Sequence, residues 1–101
     1  MKVNVGSVMT IKLNSGEELI AKIIELVDEE GFITIQEPVS IAPSGQGIGL
    51  VPSMFTANTK EPVRLNTNSV SLFASTEDNV KLKYLEATTG IKVPEKKLIL
   101  G

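Results

Sequence analysis

Few stretches of this sequence carry residues of the kinds that do chemistry. Asp28-Glu29-Glu30 sets carboxylates side by side, and neighbouring carboxylates can drive their pKa values apart into an acid and a base, or hold a cation. The same run, followed at once by Gly31, has the composition of an acidic turn facing water, and no catalysis is assigned to it. Gly45-Gln46-Gly47-Ile48-Gly49 has the glycine density of a phosphate loop. The lysine and hydroxyl residue that complete such a loop do not follow, nor does a helix signal, so the segment reads as a plain flexible loop. Phe32 offers a ring that could stack on a nucleobase, although core packing is the commoner use of a phenylalanine. Lys60 and Arg64 are cations within one short stretch, with Glu61 offsetting the first of them.

What is missing narrows the chemistry further. The chain has no histidine and no cysteine, which removes the commonest general base, histidine-bound zinc, thiolate metal sites, disulfides and cysteine nucleophiles together. No enzyme activity, metal or cofactor is expected. A net charge of −2 and a pI near 5.1 supply no global field for a polyanion, so any RNA contact would be local. Residues 1–7 lack the apolar core of a signal peptide, and no run approaches the roughly 20 apolar residues needed to span a bilayer. The chain therefore reads as soluble and cytoplasmic, with no membrane partner.

The elements that would position these residues are mostly strands. With 101 residues, 42 % hydrophobic and 22 % charged, one globular domain is expected over 1–101. Met9, Ile11 and Leu13 alternate with Thr10, Lys12 and Asn14, the period of a half-buried strand over roughly 8–14, and Asn14-Ser15-Gly16 reverses the chain. Between 17 and 29 the apolar residues Leu19, Ile20, Ile23, Ile24, Leu26 and Val27 recur at helical spacing. A bent strand packed on both faces gives the same near-continuous run, so the pattern leaves helix and strand open. A third strand spans roughly 32–41, with Ile33, Ile35, Val39 and Ile41 on one parity and Pro38 marking an edge or a bulge. Strands follow over roughly 49–57 and 63–74, joined by a hairpin connection at residues 58–62. Ser75 caps a helix over roughly 76–89, whose apolar stripe is Val80, Tyr84, Ala87 and Ile91 and whose stop is Gly90. The tail, 91–101, contains Leu98-Ile99-Leu100 and would cover an edge or dock on a neighbouring subunit.

Thr10-Ile11-Lys12-Leu13-Asn14-Ser15-Gly16 through Asp28, followed by Phe32-Ile33-Thr34-Ile35, resembles the first motif of the Sm-like (LSm) family: strand, turn glycine, long bent strand, turn aspartate, third strand. Leu19, Ala21 and Ile23 occupy the apolar, small and apolar places of its second strand, and residues 84–91 resemble small Sm-like proteins of T4-like cyanophages. The resemblance implies that 17–29 is strand. It implies a mainly β fold, a strongly bent five-stranded antiparallel Sm-like open barrel with one C-terminal α-helix. It also implies a homo-oligomeric ring of roughly five to seven subunits, joined head to tail through the fourth and fifth strands, with Leu50, Val51, Met54, Val70 and Leu72 at the contact. Carried over to RNA binding, it points to Asp28, Phe32, Lys60 and Arg64 as contacts for single-stranded RNA. Here Phe32 stands near the family's base-contacting asparagine, Asp28 lies one residue further from Gly16 than usual, and no Arg-Gly follows between Leu50 and Ala74. The reading preferred is a structural or protein-interaction ring, and the alternative is an RNA-binding ring.

Overall fold

The computed structural model describes residues 3–45 and 47–89; the expected helix stop at Gly90, Ile91 and the tail 91–101 lie outside them. The described chain forms β1 (Val8–Leu13), β2 (Glu18–Glu25), β3 (Phe32–Ser44), β4 (Gly47–Pro52), β5 (Val63–Asn66), a 3-10 turn (Thr67–Ser69), β6 (Val70–Ser75) and α1 (Asp78–Thr89). All ladders are antiparallel, in the order β4-β3-β2-β1-β6, with β5 paired to the first residues of β3. The fold is thus mainly β, an open six-stranded sheet followed by one C-terminal helix. No helix among the described residues is long and apolar enough to cross a membrane.

Local chemistry explains why β2 is a strand despite its helical spacing. Leu19, Ala21 and Ile23 are buried on one face, while Ile20 is buried on the other. Burial on both faces fills consecutive positions with apolar residues, and that is what mimics a helix. The tight turn before β2, with Gly16 at φ 95° and its N–H on the Leu13 carbonyl at 2.9 Å, sends the chain straight back along β1: the Leu13 N–H donates to the Glu17 carbonyl at 2.8 Å and Lys12 pairs with Glu18. β2 ends at Glu25, short of residue 29, and Leu26 and Val27 are exposed.

β3 departs from the parity expected of it. Lys22 pairs with Gln36 and Ile20 with Val39, so Glu37 and Pro38 together face Ala21 alone. This is a β-bulge, with Glu37 at φ 54°, and an extra residue reverses which face each later side chain takes. Ile33 and Ile35 accordingly pack with Met9 and Ile11, whereas Val39 and Ile41 pack on the opposite face with Tyr84.

Beyond residue 41 several expected boundaries move. β3 continues to Ser44 and β4 begins at Gly47, so most of the expected loop 42–49 is a tight hairpin. β4 ends at Pro52 rather than 57. Residues 58–62 do not join a hairpin either: β4 and β5 pair with β3, not with each other, and 53–62 makes an excursion between them. The strand expected over 63–74 is two strands with different partners, because Thr67–Ser69 turns and Asn66 caps that turn by accepting the Asn68 N–H at 2.9 Å.

That turn dictates the curvature of the sheet. β5 and β6 lie four strand spacings apart through β3, β2 and β1, about 19 Å if the sheet were flat. A 3-10 segment rises about 2 Å per residue, so the chain from Asn66 to Val70 bridges only about 8 Å. The sheet must curl until its ends approach, although no ladder pairs β5 with β6 among the described residues. Inside the curl, Met9, Ile11, Leu19, Ala21, Ile23 and Ile35 form the interior core.

On the outer face α1 packs through Tyr84, 1 % exposed, with Val80 and Leu85 beside it. Ala87 is exposed, so the buried stripe passes through Leu85 instead. Ser75 belongs to β6 and does not cap α1; the Glu77 carboxylate accepts the Val80 N–H at 3.2 Å. The Tyr84 hydroxyl donates to the carbonyls of Gln36, at 3.1 Å, and Glu37, at 2.9 Å. The helix therefore holds the β3 bulge in place. Burial first, then the Glu37 charge, pushes the Tyr84 phenol up to about 12.

Candidate functional site

The β2–β3 turn brings Asp28, Phe32 and Arg64 together. Asp28 builds the turn: its Oδ1 accepts the N–H groups of Glu30 at 2.8 Å and Phe32 at 3.0 Å. A short carboxylate folded back onto amides a few residues ahead is the standard aspartate turn. Gly31 completes it at φ 84°, where a side chain would be strained. Its carbonyl accepts both the Thr67 N–H, at 2.9 Å, and the Thr67 hydroxyl, at 2.7 Å.

Arg64 reaches this turn from β5. Its Nη2 donates to Asp28 Oδ2 at 3.0 Å and to Glu30 Oε1 at 2.8 Å, and its guanidinium lies 4.2 Å from the centre of the Phe32 ring. The Phe32 N–H, with help from the Arg64 guanidinium, holds the Asp28 carboxyl below its ordinary value. Glu30 and then Asp28 raise the Arg64 guanidinium further.

This arrangement is a staple between the turn and β5. Two carboxylates face one guanidinium, leaving the cluster with an excess negative charge, and the Arg64 side covers a face of Phe32. A phosphate would compete with both carboxylates for the arginine. Lys60 stands apart from the cluster: its ammonium is 3.4 Å from Glu37 Oε1, and its carbonyl accepts the Gln36 side-chain amide. Glu30, the second partner of Arg64, stands in the acidic run Asp28-Glu29-Glu30 but was not among the expected contact residues; its place two residues after a turn-building aspartate is the available signal. Among the described residues no three acidic side chains are placed to hold a metal ion.

The residues expected at a subunit contact divide into two groups. Val70 packs against the interior core and Leu50 against the helix-side core. Val51, Met54 and Leu72 are exposed, Leu72 to 67 %. Val51 lies in β4 and Leu72 in β6, the two ends of the sheet path. No charged residue occurs from Pro38 through Thr59, or from Leu65 through Thr76, so both end strands lie in uncharged stretches of chain. No protein-family model matches the chain, and no characterised protein matches it either.

Proposed function

We propose that this chain is a phage-encoded, cytoplasmic Sm-like protein that assembles into a ring of identical copies and acts as a structural or protein-interaction module. The observation that carries this reading is that β4 and β6, the two ends of the sheet path, lie in uncharged stretches and have no strand on their outer edges among the described residues. An open edge offers a row of unpaired N–H and C=O groups, and proteins that stay monomeric commonly defend it with lysine or another charge. Opposite ends of one sheet are complementary. β6 of one copy can extend the β4 and β5 side of the next, and such a head-to-tail contact closes when its rotation divides a circle.

The curl of the sheet favours the Sm-like open barrel for the same reason. It brings β5 toward β6 while no ladder occupies the outer edges of β4 and β6 among the described residues, and those edges are what a ring contact would use. Single-stranded RNA binding is the alternative that the resemblance offers. The engagement of Arg64 by Asp28 and Glu30, and of Lys60 by Glu37, weighs toward the interaction module.

Light scattering on the purified protein at micromolar concentration tests the ring. The expected mass is several times the 10.8 kDa of one chain, and a stable monomer overturns the reading. Tight, sequence-selective binding to uridine-rich or adenine-rich RNA at physiological salt would replace the interaction module with the RNA-binding ring.

A further inference from the structure

We infer that the groove between β4 and the end of α1 seats Leu72 from β6 of the next copy. The inference rests on the ring reading and adds to it the face and the side chain of the contact. The groove, of about 220 Å³, is lined by Val39 at the bulge, Leu50, Val51 and Pro52 of β4, and Ala87 and Thr88 of α1. Leu50 and Pro52 pair with Ile41 and Val39, which pack on the helix side, so both belong to the outer face that carries α1.

Sheet geometry chooses the occupant. In β6, Phe73 packs against the interior core, so its neighbours Leu72 and Ala74 take the outer face. The pairing agrees: Leu72 stands opposite Lys12, which shares a face with Val8 of the helix-side core. Leu72 is exposed and is the one large apolar side chain on that face of β6. When β6 of a second copy is added beside β4 with the helix-bearing faces on one side, opposed side chains share a face at about 5 Å. Leu72 then falls opposite Leu50 or Pro52, at the groove, and not in the barrel interior. Charge complementarity favours the same occupant. The groove's one acidic lining residue, Glu37, is held by Lys60, and Leu65 through Thr76 carries no charge, so the contact buries no unpaired charge.

The absence of cysteine from the chain makes a direct test available. The full chain carrying Leu72→Cys and Ala87→Cys should give, under mild oxidation, a ladder of disulfide-linked multimers on a non-reducing denaturing gel. Leu72→Cys with Leu82→Cys is the control, because Leu82 is exposed and lies about 200° around α1 from the buried Tyr84. The Ala87 pair should link about tenfold faster or more, since the assembly holds its two thiols together. A link within one chain, or one no faster than the control in a sample that light scattering shows assembled, overturns this seat and leaves the ring standing. A stable monomer overturns both. Ala87→Lys places a charge in the groove away from both paired edges and should raise the concentration at half-assembly by about tenfold or more, whereas Leu82→Lys should leave it unchanged. Equal behaviour of these two variants would equally overturn the seat.

Discussion

Both oxygens of Asp28 are occupied, one by the amides of its own turn and the other by Arg64. Because its folded pKa is lowered from 3.8, its contribution to stability is present above that ordinary value and is lost as the pH falls through the lowered one. Asp28→Asn keeps an oxygen for the turn but loses the ion pair. Urea unfolding should show a small deficit for this variant near neutral pH that shrinks toward about pH 3, with assembly unchanged. Tyr84 has the opposite sign. Its pKa is raised from 10.0 to about 12, so its hydroxyl stabilises the fold fully below about pH 10 and progressively less as the pH rises toward 12. Tyr84→Phe leaves two bulge carbonyls without that donor and should cost about 1–3 kcal/mol by urea denaturation at neutral pH, with a smaller difference from the parent at alkaline pH. The sequence drew attention to Asp28, Phe32 and Arg64 without linking them. Neither spacing nor composition reports that Arg64, from β5, meets a turn more than thirty positions earlier.

Among the elements, β3 shows what alternation can and cannot convey. Ile33, Ile35, Val39 and Ile41 share a parity, yet the bulge at Glu37 and Pro38 sends the second pair to the opposite face. Pro38 signalled an irregularity, but a reversal of faces depends on which partner residue is skipped, and that is a property of β2. Glu37 sits at φ 54°, a conformation that costs a branched side chain more than an unbranched one. Glu37→Val should therefore destabilise by about 1–3 kcal/mol in urea unfolding, while Glu37→Gly should stay within about 1 kcal/mol of the parent. β2 carries the companion lesson: burial on both faces erases the period of two, so its strand character rested on the resemblance and on the turn at Gly16. The 3-10 turn at Thr67–Ser69 was hidden inside an apparently continuous strand, since Asn66 and Thr67 become a cap and a turn only where the two halves find different partners.

For the whole molecule, composition and alternation conveyed the mainly β class and the single helix, while the pairing of β1 with β6 and of β5 with β3 was beyond local pattern. The ring reading makes stability a function of concentration. If association supplies part of the folding free energy, the apparent Tm should climb as protein concentration is raised, and a scan that does not move would count against assembly. Leu72→Lys places a charge on an exposed position of β6 and should abolish that dependence while far-ultraviolet circular dichroism stays native.

The short turn between β5 and β6 also sets a timetable. Ile11 pairs with Phe73, 62 positions later, so the chain must close a long loop before this ladder returns any energy, and pairings of that separation form slowly. During synthesis β1 and β2 can meet as a hairpin early, but β1 keeps an open side until residue 75 has left the ribosome. Until then a nascent chain is most vulnerable to pairing with the wrong strand, so prolonged stalling between residues 25 and 70 should lead to aggregation, and rapid release should favour correct folding.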